Sequence, residues 1–382
     1  MAARWDIFCR VVDNYGDAGV CWRLARILAR EHGILPALWQ DDLGALARIA
    51  PAIDVRATYQ RVDGVDVRRW TDPLPPSEPP EVVIEAFGCG LSDDYARAIA
   101  SRPHPPAWIV LEYLSAEPWV ERAHGLPSPH PRLPIARRFV FPGFTEATGG
   151  LLRERGLLEA RDAFRAGADS DAMLWPALGM AAPPATDTLI SLFCYPNDVL
   201  PDLLDAWADG ESGVCCIVPE GVAARALDRW ARGDVPHPGH PVVRGRLALH
   251  CVPFVDQDRY DRLLWSCDVN FVRGEDSFVR AQWAARPFVW HIYPQDEHAH
   301  WTKLEAFLDR HCADADPVAA RAERRLWRAW NGDSRVGPVA DAWREFADAR
   351  PALARHGDAW AHRLASLPDL ASGLVRGAAA PV

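Results

Sequence analysis

Apolar positions bunch at Ile7-Phe8-Cys9 and return at Val11 and Val12, which reads as a buried strand. A polar break follows at Asp13-Asn14-Tyr15-Gly16-Asp17, with Gly19 shortly after. The pattern then changes period. Val20, Leu24, Ile27 and Leu28 fall on one face of a helix that Gly33 closes. Strand, short glycine-containing loop and helix make the opening unit of an open α/β sheet, where ligands gather at the carboxyl ends of the strands. In this chain that position carries two carboxylates, Asp13 and Asp17, instead of a phosphate-cradling run of glycines.

The same alternation continues. Further strands are expected at 34–39, 65–70, 81–88, 108–114 and 138–144, with helices at 43–49 and 93–100 between them. A proline cluster at 72–80 marks a stiff surface connection. Residues 158–184 are rich in Ala, Gly and Pro and show no long strand, so they are expected as a junction. The pattern restarts with strands at 188–195, 213–218, 247–254, 269–272 and 287–293, and with helices at 198–207, 221–232, 257–267 and 277–285. From 297 onward the chain reads as helices. Two Rossmann-like domains are therefore expected, at 1–157 and 185–354, with a C-terminal helix in about 355–382 packing back on the first. Strands alternating with helices imply parallel sheets.

Composition narrows the picture. The 382 residues exceed one ordinary core, and 49% hydrophobic with 25% charged content suits a globular protein. A net charge of −10 argues against non-specific nucleic-acid binding. The nine cysteines form no C-x-x-C pair and several lie in apolar runs. Met1-Ala-Ala-Arg leads straight into a strand, and no apolar run reaches the ~18 residues of a membrane span. The expectation is a reduced, cytoplasmic protein without a membrane segment.

Taken alone, Asp13 and Asp17 are better explained by turn and helix capping than by chemistry. Arg273-Gly-Glu-Asp-Ser277 stands between a strand and a helix. Ser277 and the backbone N–H groups after it would form an anion-accepting helix N-terminus, and Arg273 could pair with a diphosphate. An N-cap and a salt bridge would explain the same five residues. His291, Asp296, Glu297, His298 and His300 are read as a polar loop at a rim rather than a metal site, since no H-E-x-x-H or C-x-x-C completes them. Glu112, Tyr113, Ser115 and Glu117 end a first-domain strand, either as ordinary loop polars or as an acceptor surface. No G-x-G-x-x-G follows the first strand, which argues against a dinucleotide cofactor there.

Two stretches carry a family resemblance. Trp5-Asp-Ile-Phe-Cys-Arg-Val-Val-Asp-Asn-Tyr-Gly-Asp-Ala-Gly resembles the N-terminus of the EarP family, protein-arginine rhamnosyltransferases that modify elongation factor P. Phe271-Val-Arg-Gly-Glu-Asp-Ser-Phe-Val-Arg-Ala-Gln-Trp resembles that family's nucleotide-sugar loop. The resemblance implies a GT-B fold, with two doubly wound α/β domains facing across a cleft, and inverting transfer of L-rhamnose from TDP-β-L-rhamnose to an arginine guanidinium. It implies that Asp13 and Asp17 hold that arginine, the second as favoured general base, with Asn14, Tyr15 and Gly16 shaping the loop. It further implies that Arg273, Asp276 and Ser277 hold the nucleotide sugar and that Glu275 sits beside the sugar. Phe193, Tyr195, Phe254 and Gln257 would line the thymidine pocket, and no metal or other cofactor is expected. Alternatives are a nucleotide-sugar epimerase, a small-acceptor transferase on the same fold, and a non-catalytic nucleotide-binding partner of the translation machinery.

Overall fold

The computed structural model describes residues 2–13, 15–75, 77–167, 174–234, 236–295 and 299–379. The chain divides into two compact units, Met1–Arg155 with Leu364–Val382, and Gly156–Arg363.

The first unit is built on eight strands: β1 (Arg4–Cys9), β2 (Leu35–Gln40), β3 (Tyr59–Val62), β4 (Val65–Arg69), β5 (Val82–Ala86), β6 (Ala107–Leu111), β7 (Pro127–Pro129) and β8 (Ala136–Val140). Their order is β3-β4-β2-β1-β5-β6-β8-β7. All neighbours are parallel except the two edge strands, β3 and β7, which run antiparallel. The central strands are mostly apolar, as strands covered on both faces require, and β5 is buried along its whole length. From β1 the chain steps outward through β2 to β4, then returns to the other side of β1 as β5. The crevice between the carboxyl ends of β1 and β5 is thus the topological switch point, where ligands of such sheets bind.

The first strand is shorter at its C-terminal end than the apolar pattern implied. It stops at Cys9, and Val12 is 64% exposed. Aspartates draw the backbone out of the ladder here. Asp41 accepts the amide of Val11 at 3.0 Å, and Asp17 accepts those of Val12 and Asp13.

The helix Leu370–Ala378 belongs to the first unit, capped by Asp369, which accepts from Ser372 N at 2.9 Å. Leu370 N donates to Leu151 O at 3.0 Å, and Arg138 Nη1 to Gly377 O at 3.2 Å. Gly150, at φ +73°, makes this docking possible: a Cβ there would lie 2.0 Å from the Pro368 carbonyl oxygen. Residues 355–363 go with the second unit instead, where Trp360 Nε1 donates to Gln282 Oε1 at 2.9 Å.

The second unit holds β9 (Thr188–Leu192), β10 (Val214–Pro219), β11 (Val242–Arg244), β12 (Leu247–Val252), β13 (Val269–Arg273) and β14 (Phe288–His291). The order is β11-β12-β10-β9-β13-β14, parallel apart from β11. Its switch point lies between β9 and β13, which Ser191 and Asn270 tie together through a buried 2.6 Å hydrogen bond. The stretch expected as a junction falls within this unit. Its helix Leu157–Arg165 is anchored by Arg161 Nη1, which donates to Trp283 O at 2.9 Å, and by Phe164, which meets Trp265 edge-on. All nine cysteines are free thiols. Among the described residues no helix is long and apolar enough to cross a membrane.

Candidate active site

In the first unit, Asp13 and Asp17 stand at the switch point. The turn between them closes through Gly16 N donating to Asp13 O at 2.7 Å, and the helix Gly16–His32 starts there. Tyr15 occupies the N-cap position, so neither aspartate caps the helix in the usual way. Asp17, 1% exposed, bends back over the loop, and its Oδ2 accepts from Val12 N at 2.8 Å and Asp13 N at 2.9 Å. Tyr113, beyond the end of β6, gives it a further side-chain hydrogen bond. Burial lifts the Asp17 carboxyl above the ordinary aspartate range and nearby Asp41 adds to this, while the two amides and Tyr113 oppose it. Asp13 is half-buried, and its carboxylate rests over Gly16, where a Cβ would stand 2.6 Å from Oδ2. Asn14 lies outside the described residues.

Phe87, one residue past β5, completes this edge. It adopts φ +57°, an uncommon conformation for a bulky residue, and stacks on Tyr113 at 4.4 Å with planes 15° apart. Sequence reading passed over it; the only signal was an aromatic before glycine at a strand end. Ser115 and Glu117 bond each other, Ser115 Oγ lying 3.0 Å from Glu117 Oε2, which is ordinary loop closure.

The second unit gathers all of its predicted residues at its own switch point. Arg273 ends β13 and is 9% exposed. Its guanidinium lies 4.6 Å from the ring centres of both Phe193 and Tyr195, with Nη1 donating to Cys194 O at 3.4 Å. Phe193 meets Phe254 edge-on at 6.1 Å and Tyr260 at 5.8 Å. Gln257 Nε2 donates to Asp276 Oδ2 at 2.9 Å. Ser277 is turned inward: its Oγ accepts Arg273 N at 3.1 Å and donates to Arg273 O, locking the loop. Glu275 is the half-buried N-cap residue of the helix Asp276–Trp283.

Here His291 departs from the rim loop expected of it. It ends β14, buried, with its ring 5.3 Å from that of Tyr195. Burial, Arg273 and His300 push its pKa down to about 3, so it is neutral. Asp296, Glu297 and His298 lie outside the described residues. Tyr260 and Tyr293, the latter 5.4 Å from Tyr195, were not singled out from the sequence. Tyr260 had one faint signal, its place three residues after Gln257 on the same helix face.

Chemically, a buried guanidinium sandwiched by aromatic faces beside a helix N-terminus suits a phosphate-bearing ligand, and the rings offer a stacking surface. The first-unit edge offers two carboxylates and an aromatic pair, a match for a planar cation.

Residues 5–378 match the family model of elongation factor P rhamnosyltransferase EarP. The chain is 50% identical over 375 residues to the protein-arginine rhamnosyltransferase of Pseudomonas putida, and 46% identical over 374 residues to that of Pseudomonas aeruginosa, with 98% of each chain covered in both cases. Among solved structures it is similar to one describing EarP-mediated arginine glycosylation of translation elongation factor EF-P, at 37% identity, TM-score 0.69 and 98% coverage of both chains.

Proposed function

This chain belongs to the EarP family of elongation factor P rhamnosyltransferases, and from that premise we propose how its residues carry out the transfer. It is a glycosyltransferase of GT-B fold that moves rhamnose to an arginine of elongation factor P. Membership over nearly the whole chain leaves the epimerase, small-acceptor and non-catalytic readings without support.

The donor is TDP-β-L-rhamnose, held by the second unit. Phe193, Tyr195 and Phe254 enclose the nucleotide, with Gln257 and Asp276 placed by their mutual hydrogen bond. Arg273 and the helix N-terminus at Asp276 and Ser277 take the diphosphate. Because Arg273 neutralises the leaving group, transfer needs no divalent metal at that position. Glu275 faces the sugar and supports its developing positive charge.

The first unit presents the acceptor. Asp13 and Asp17 grip the guanidinium, in a loop shaped by Tyr15 and Gly16. A free guanidinium keeps its proton, with a pKa above about 12, so it attacks only if that proton leaves as the bond forms. Asp17 Oδ2 is committed to two backbone amides, so the proton goes to Oδ1 of a carboxylate that Tyr113 also orients, and burial makes it more basic than an exposed one. The guanidinium nitrogen bonds to the anomeric carbon, and the bond to the diphosphate oxygen breaks with its electron pair going to TDP. The proton passes to Asp17, and single displacement inverts the centre to the α-linkage. The enzyme works in the cytoplasm, beside the translation factor it modifies, and binds neither nucleic acid nor membrane.

The observation that carries this mechanism is the buried Asp17 carboxylate, raised in pKa, at the first switch point. Mass spectrometry of elongation factor P after incubation with the enzyme and TDP-β-L-rhamnose tests it. A gain of one deoxyhexose on a single arginine is expected. An unmodified factor, or equal transfer to free arginine, would overturn the assignment.

A further inference from the structure

Away from both switch points, three chemically distinct side chains converge inside the second unit. His311 ends the helix Ala299–His311, Cys312 follows it, and Glu323 lies on the helix Pro317–Trp330. Their exposures are 2%, 6% and 2%. One ligand atom from each lies within 4.8 Å of the others. His311 Nδ1 is 3.3 Å from Glu323 Oε2, and Cys312 Sγ is 3.4 Å from the same oxygen.

As a bare cluster, this arrangement is poorly satisfied. The Nδ1 contact lacks hydrogen-bond geometry, and neither ring nitrogen of His311 has a hydrogen-bond partner among the described residues. An imidazolium would carry two N–H donors, and Nε2 has no acceptor. Glu323 Oε2 faces the imidazole on one side and the Cys312 thiol on the other, while burial opposes its charge. A buried carboxylate that shares its surroundings with one imidazole and one thiol favours a cation among them. Aromatic rings wall the site: Phe307 stacks on His311 at 5.3 Å, while Phe288 and Trp360 meet it edge-on at 5.4 and 4.9 Å.

We propose that His311, Cys312 and Glu323 form a zinc site that braces the helices behind β14. Zinc favours this mix of imidazole, thiolate and carboxylate, with bonds of about 2.0–2.3 Å, so donors around a tetrahedral ion sit roughly 3.3–3.7 Å apart. Two of the three separations already meet that, and the third, within 4.8 Å, needs closure of at most about 1–1.5 Å. The charges also balance: Zn²⁺ with one thiolate and one carboxylate is neutral, which suits a dry core. On binding, the Cys312 thiol releases its proton to solvent and its sulfur takes the metal. His356 Nε2–H donates to the His311 carbonyl at 2.8 Å and so links its helix, Val339–Ala365, to the site.

The test uses the full chain, loaded with zinc or cobalt(II) and desalted. About one zinc per chain should remain, and the cobalt form should show a near-ultraviolet thiolate-to-cobalt absorption that disappears in Cys312→Ala. A chelator should lower the melting temperature of the zinc form and leave that of Cys312→Ala unchanged. A cobalt-loaded wild type without the band, a band that survives in Cys312→Ala, or zinc lost on desalting would overturn the proposal. Should the variant fail to fold, the wild-type spectrum decides, since no other such group of three stands among the described residues.

Discussion

Asp17 Oδ2 takes the hydrogen bond of the Asp13 backbone amide at 2.9 Å, so the position of one acid is fixed by the other. Base and scaffold can be separated by substitution. Asp17→Asn keeps an oxygen to accept both amides and loses the proton acceptor. Transfer should fall by about 10²–10⁴-fold, with donor affinity and melting temperature close to wild type. Asp17→Ala should in addition lose roughly 1–3 kcal/mol of stability, because buried amides are left unmet. Single-turnover rates and thermal unfolding read the two effects; an Asp17→Asn enzyme turning over normally would remove Asp17 as base.

Gly16→Ala tests the seat of Asp13. The new methyl would stand 2.6 Å from Asp13 Oδ2, so the carboxylate must move. The helix itself gains from alanine, by about 0.5–1 kcal/mol. Activity is expected to drop at least about tenfold, the effect of ~1.4 kcal/mol on a barrier, while thermal stability holds or rises. A loss of stability in step with activity would show the effect to be structural.

Arg273→Lys keeps the charge and loses the planar group that lies between Phe193 and Tyr195. The KM for the nucleotide sugar should rise about tenfold or more, since one bidentate, stacked contact contributes roughly 1.5–3 kcal/mol. Binding of elongation factor P, measured without donor, should be unchanged.

Asp6 gives a stability prediction independent of chemistry. Its carboxyl is fully buried on β1, 3.6 Å from Arg4 and 3.4 Å from the Tyr95 hydroxyl, and burial raises its pKa from 3.8 to about 6. A carboxyl raised on folding contributes stability that is complete below its unfolded pKa and is lost as pH climbs through the folded one. Wild type should therefore lose up to about 3 kcal/mol at this site between pH 4 and 7. Asp6→Asn does not titrate, so its melting temperature should gain on wild type across that window. A constant difference would refute the linkage.

Much of this was readable from residue order, for identifiable reasons. Central strands such as β5 are continuous apolar runs, and helices such as Gly16–His32 keep a clear period, so both stand out. The edge strands β3, β7 and β11 do not: Tyr59–Val62 is half polar, Pro127–Pro129 is bounded by prolines, and Val242–Arg244 is three residues long. Their pairing is imposed by neighbouring strands, not by local pattern. In the second-unit site the aromatic and arginine positions were singled out through the family resemblance, since apolar spacing alone reads such aromatics as core. The inward turn of Ser277 and the burial of His291 depend on loop closure and neighbouring rings, which spacing does not encode. The same holds for Asp17: two aspartates four apart signal a turn, and only the folded loop shows one of them bent back onto its own backbone.

The docking of Leu370–Ala378 has a consequence for biosynthesis. As the ribosome extends the chain, the first unit waits unfinished while the whole of the second emerges. A premature stop after Arg363 would thus damage the portion encoded first and spare the one just made.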